Sequence, residues 1–87
     1  MLSQAERRKR MALVEGLLKR RVANLRECAQ MLGSFAELAR RTGVSDARIH
    51  QLCGPNPVRT ISEITARDIE QRLGLPTGWL DLEKGQR

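Results

Sequence analysis

The sequence predicts a small all-α bundle in which two short helices cross at a steep angle. Three observations point there. Apolar residues between Met11 and Leu32 return at steps of three and four, which is the helical period. Aromatic residues are almost absent: Phe35 and Trp79 are the only two in 87 residues. The core must therefore be built from Leu, Ile, Val, Met and Ala, which suits helices better than sheets. Finally, Ala39, Gly43 and Ile49 fall at offsets of four and ten, with Leu38, Val44 and Leu52 supplying apolar positions around them.

Each element has its own signal. Ser3-Gln4-Ala5-Glu6 is a capping box, so the first helix starts near Gln4. Its apolar set is Met11, Leu13, Val14, Leu17, Leu18, Val22, Leu25, Cys28, Ala29, Met31 and Leu32. Helix throughout is favoured. The alternative is a kink or break between Arg20 and Asn24, because Asn24 and Glu27 form a further capping pattern. Gly16 weakens the first half by about 1 kcal/mol relative to alanine. Met11, Leu18, Leu25 and Leu32 lie seven apart, yet the second seam position of a zipper would hold Arg21 or Glu15. Leu25 and Leu32 therefore read as packing inside the domain.

Ser34-Phe35-Ala36-Glu37 caps a second helix that runs to Thr42. Ala39 must be small because the next helix passes over it, and Gly43 ends the helix where positive φ is cheapest for glycine. Ser45 caps a third helix, Asp46 to Leu52, anchored by Ile49 and Leu52. Gly54-Pro55-Asn56-Pro57 is a loop. Thr60-Ile61-Ser62-Glu63 starts a helix that stops at Gly74, and Pro76 and Thr77 open a last short turn carrying Trp79 and Leu80. The organisation expected is a basic amphipathic helix or helix extension over 1–23, a helix-turn-helix domain over 24–81 and a flexible tail over 82–87.

In a helix-turn-helix the second helix of the pair enters the DNA major groove. An ordinary helical hairpin is the plainer alternative. At about 100° per residue, Asp46, Ala47, His50 and Gln51 share one half of the third helix, while Ile49 and Leu52 share the other. Arg48 lies on the border, from which it can reach a phosphate. Gln51 can bond an adenine through two contacts, and Ala47 can pack on a thymine methyl. His50 can donate to a base acceptor or a phosphate. Asp46 either caps the helix N-terminus or accepts from cytosine N4, and capping is slightly favoured.

Beyond the helix pair, the run ISEITARDIEQRLGLPTGWLD resembles the closing helices of short prophage repressors. With the helix-turn-helix it makes Asn24 to Asp81 resemble the Cro/CI-type, lambda-repressor-like (also called XRE-like) DNA-binding domain of phage and plasmid repressors. The resemblance implies a bundle of about five helices, here with an extended basic N-terminal helix. It implies base reading at Asp46, Ala47 and Gln51, to which the helix geometry adds His50. Phosphate contacts are expected from Ser34, Ser45, Arg48, Asn56 and Arg59. Two positions depart from the family pattern. Many relatives carry a phosphate-binding glutamine where this chain has Phe35, so Ser34 or the helix N-terminal amides must take that role, or Phe35 packs on the basic helix. Gly54 replaces a polar phosphate contact, which Asn56 or Arg59 can substitute.

Charge is distributed unevenly. Residues 1–26 hold eight Lys/Arg and two acids, whereas residues 27–87 hold eight of each, so the net +6 resides at the N-terminal end. Arg7, Arg8 and Arg10 are candidate phosphate contacts on that account. A solvated helix face is the alternative. Cys28 and Cys53 are too few for a disulfide framework and lack metal-ligand neighbours. Cys28 is expected in the core and Cys53 to be partly exposed. His50 is the only histidine, so no metal site is expected, and nothing suggests a cofactor or small-molecule ligand. No run approaches the ~18 apolar residues of a membrane span, and MALVEGLL, interrupted by Glu15 and Gly16, is no convincing signal peptide. A cytoplasmic, nucleoid-associated location follows.

No paired-carboxylate cleft, nucleophile-base pair or glycine-rich phosphate loop supports an enzyme. The function expected is a DNA-binding transcriptional repressor acting as a homodimer on a palindromic double-stranded operator. The alternative is a protein-interaction module on the same fold, such as an antirepressor or antitoxin. Two surfaces can pair: the stripe of Met11, Val14 and Leu18, which is favoured, and the C-terminal end around Trp79 and Leu80. Met1 and the N-terminal helix outside the resemblance favour a complete small protein over a fragment of a longer repressor.

Overall fold

A serine hydroxyl opens each α-helix by accepting a backbone N–H of the first turn, which satisfies a donor that has no partner within the helix. Ser3 accepts from Glu6 at 3.2 Å, Ser34 from Glu37 at 3.0 Å, Ser45 from Arg48 at 3.2 Å and Ser62 from Thr65 at 3.2 Å. The computed structural model describes residues 3–86. Met1, Leu2 and Arg87, at the ends of the expected N-terminal and tail segments, lie outside the described residues. Among those described, the chain is helical with no strand. The α-helices are α1 (Gln4–Leu32), α2 (Phe35–Thr42), α3 (Asp46–Cys53) and α4 (Glu63–Leu73), followed by 3-10 turns at Trp79–Asp81 and Lys84–Gln86.

The α1 helix is continuous. The segment boundary expected after Ala23 falls inside it, and Asn24 caps nothing. At 1.5 Å per residue, α1 is about 43 Å long, and it sets the 45 Å long axis of a molecule whose other extents are 26 and 20 Å. Its second half is built into the core through Leu25, Cys28 and Ala29. Its first half projects beyond the core, leaving Met11, Leu13 and Val14 64, 72 and 54% exposed. Met31 is also exposed, so it drops out of the expected apolar set.

Leu38 and Ala39 of α2, Ile49, Leu52 and Cys53 of α3, Ile61, Ala66 and Ile69 of the α4 segment, and Leu80 complete the core. Burying one such aliphatic side chain contributes on the order of 1.5–3 kcal/mol. Two expectations are corrected here. Cys53 is fully buried, and its thiol is pushed up to about 11 by burial, against a smaller opposing effect of Arg26. It is therefore an inert core group. Leu80 is also fully buried and presents no surface to a partner; only Trp79 beside it remains partly open.

Polar side chains fix the C-terminal turn. The Asn24 amide donates to the carbonyls of Leu80 and Leu82, each at 2.8 Å. Arg21, 5% exposed, donates from Nε to Asp81 at 2.6 Å and from Nη1 to the Ile61 carbonyl at 2.9 Å. The Glu70 carboxylate, 1% exposed, accepts from the amides of Gly78 (3.0 Å) and Leu80 (2.8 Å). Arg67 bridges the two acids, 2.9 Å from Glu70 and 2.9 Å from Asp81. Gly78 reaches this position with φ 92°, which a β-carbon would strain. The tail is thus held at Leu82 and ends in a short turn.

This network makes stability acid-sensitive. Burial pushes the Asp81 carboxyl up, but the Arg21 and Arg67 guanidinium groups beside it outweigh that and hold the group below its usual value. A depressed folded-state pKa stabilises above the unfolded value of about 3.9, and that contribution is lost as pH falls through the folded one. The urea midpoint is expected to drop as pH goes below about 4, with a shallower drop in Asp81→Asn. Equal acid limbs in the two proteins would remove Asp81 from the account.

Candidate nucleic-acid interface

The turn between α2 and α3 sets the crossing of these two helices. Gly43 adopts φ 71° and donates its N–H to the Ala39 carbonyl at 2.9 Å, ending α2 in one step. A β-carbon there would be strained by that φ and would stand 3.0 Å from the Arg72 guanidinium. The Thr42 hydroxyl, buried, bonds back to the Leu38 carbonyl at 2.8 Å and receives the Val44 N–H at 3.4 Å. With Ala39, Ile49 and Leu52 buried beneath, α3 shows its opposite side to solvent. Asp46, Ala47, Arg48 and His50 are exposed and Gln51 is half-buried.

The far end of α3 is held by Arg26. Its Nε donates to the Cys53 carbonyl at 2.8 Å and its Nη2 to the Gly54 carbonyl at 2.6 Å. A cation at a helix C-terminus satisfies end carbonyls and complements the dipole. Gly54 itself leaves no room for a larger residue, since an added β-carbon would lie 2.5 Å from the His50 carbonyl oxygen. The loop then folds back, with the amides of Val58 and Arg59 donating to the Gln51 carbonyl at 2.9 and 3.1 Å. Asn56 and Arg59 both stay exposed on it.

Phe35 packs edge-on against His50, with ring centroids 5.1 Å apart and planes at 63°. This contact sets the start of α2 beside the middle of α3. The Ser34 and Ser45 hydroxyls act as cap acceptors, and each retains its O–H for a further acceptor such as a phosphate. Glu37 does not close the expected reciprocal box: Arg40 and Arg41 hold its carboxylate.

The basic residues of the N-terminal segment separate into two groups. Arg20, Arg21 and Arg26 are engaged with Asp81, Ile61, Cys53 and Gly54. Arg7, Arg8, Lys9 and Arg10 are exposed, as is Lys19 further along the helix. Arg10 lies roughly 24 Å along the helix axis from Arg26, so the first four cations form a patch separate from α3. Sequence reasoning missed Arg26 and Phe35 as the groups that position α3; the only sequence cue to either was the departure at Phe35. Among the described residues no cluster of metal-ligating side chains occurs, and no helix is long and apolar enough to cross a membrane. Comparison with protein-family models, curated proteins and solved structures returned no match.

Proposed function

We propose that the chain is a sequence-specific double-stranded DNA-binding transcriptional regulator of the repressor type, acting in the cytoplasm. In this reading the four helices and the Trp79–Asp81 turn form a lambda-repressor-like bundle. The observation that carries it is α3 itself: a short helix anchored by Ile49 and Leu52, clamped at its end by Arg26, with Asp46, Ala47, Arg48 and His50 facing out and Gln51 half-open beside them. Residues that can bond or pack on base edges make up that face. Arg48 on its border, the caps Ser34 and Ser45, and Asn56 and Arg59 on the exposed loop after α3 carry donors of the kind that phosphates accept.

Selection of bound sequences from random duplex DNA tests the proposal. The wild type should enrich one site, and Gln51→Ala should lose about 1–3 kcal/mol at that site while retaining most non-specific affinity. Failure of the wild type to enrich any sequence would falsify the proposal. An unchanged preference in the variant removes Gln51 alone.

A single recognition helix reads only a few base pairs, so a homodimer on a palindrome is the natural assembly. Met11, Val14 and Leu18 continue the face that α1 buries further along, and they are the surface for it. Light scattering should show a dimer for the wild type at tens of micromolar and a monomer for Leu18→Glu. A fully dimeric Leu18→Glu places the interface elsewhere. The same stripe, exposed at Met11 and Val14 and half-buried at Leu18, favours the second reading, a protein-interaction module, which predicts partner binding without sequence-selective, salt-dependent DNA binding.

A further inference from the structure

His50 sits one turn after Asp46 on the outer face of α3. Its Nδ1 lies 2.8 Å from the Asp46 carbonyl oxygen. A carbonyl oxygen only accepts, so Nδ1 carries the proton of this bond, and in the neutral ring Nε2 is left with a bare lone pair. Phe35 holds the ring from a second side through its edge contact at 5.1 Å. Tautomer and orientation are therefore set before any ligand arrives. Nε2, at the end of the ring away from the helix backbone, has no partner among the described residues. The Asp46 carboxylate on the same face is likewise an acceptor.

In the major groove only two base groups donate: the exocyclic amines of adenine (N6) and cytosine (N4). Resting on the DNA-binding reading above, we infer that His50 is a specificity residue that accepts from one of these amines through Nε2. In the neutral ring this makes Nε2 an acceptor, where the sequence alone suggests a donor to a base or phosphate. Phe35 acts as the positioning residue for it. This gives the phenylalanine a role distinct from the phosphate contact that a glutamine would make.

Two measurements test this. Nitrogen-15 NMR of the free chain at pH 8 reads the tautomer without DNA and should show Nδ1 protonated; a ring protonated at Nε2 overturns the inference. In the second, adenines and cytosines of the selected site are replaced one at a time by purine and 2-pyrimidinone, which lack the amino group. Wild-type affinity should fall roughly tenfold at one position of each half-site, and His50→Ala should be indifferent to that same deletion. A wild type that discriminates sequences but tolerates every amino deletion, or a His50→Ala variant that keeps the full tenfold penalty, overturns the His50 role and leaves the DNA reading standing. A wild type with no sequence preference overturns both.

Discussion

Arg21→Met is expected to destabilise the fold by about 3 kcal/mol, the lower end of the range for breaking a buried ion pair. The methionine keeps most of the apolar stem but removes a fork that holds the Asp81 carboxylate and the Ile61 carbonyl together. Asp81 loses the bonds to both its oxygens, at 2.6 and 3.3 Å, and the Ile61 carbonyl loses its donor at 2.9 Å. Asp81 keeps Arg67 as a neighbour at 2.9 Å and is 23% exposed, so the cost falls short of that for an isolated buried charge. A chain of 87 residues has only about 4–13 kcal/mol of total stability, so the variant should be visibly crippled. Arg21→Lys should not rescue it, because one ammonium on a flexible stem cannot reproduce a planar fork reaching two elements. Urea denaturation checks both. A loss below about 1 kcal/mol, the net worth of one ordinary hydrogen bond, would show that the network is dispensable.

The second large effect is expected on DNA affinity. Replacing Arg7, Arg8, Lys9 and Arg10 by glutamine removes four exposed cations without touching the core. For every phosphate that is no longer neutralised, the slope of log affinity against log salt falls by up to about 0.9. Four consecutive residues point around the whole circumference of α1, so about two of them can face one duplex. The expected fall is about 1.8 per protomer, equal for selected and random sequences, because phosphate contacts position without specifying. Fluorescence anisotropy across a salt series measures it. An unchanged slope would assign the basic turns to solubility or assembly.

The helices were legible in the sequence because their signals are local. Ser3, Ser34, Ser45 and Ser62 bond amides three residues away, and Gly43 and Gly74 end their helices through bonds to carbonyls three or four residues back. A side chain and a backbone group that close together meet in any fold that forms the turn. The two-sidedness of α3 was legible for the same reason, since the helical period alone places Ile49 and Leu52 on one half and Asp46, Ala47, His50 and Gln51 on the other. The exposure of Met11 and Val14 also followed from pattern: a helix longer than the domain it serves must leave one end uncovered.

What the polar residues do depends on contacts made across the fold. Asn24 reads locally as a cap and Arg21 as part of a basic arm. Their partners lie 56 and 60 residues away, and Arg26 meets Cys53 across 27. Nothing within a helical turn of these side chains indicates that chain closure will bring carbonyls and a carboxylate against them. Leu80 and Cys53 followed the same logic, since the last turn and the end of α3 are buried by elements distant in sequence. Local signals alone set where the helices start and stop, which face of α3 is apolar and how much charge the N-terminal segment carries. Which of those charges remain free is settled by packing, because a buried carbonyl or carboxylate must find a donor, and in this chain Arg21, Asn24 and Arg26 are the donors it finds.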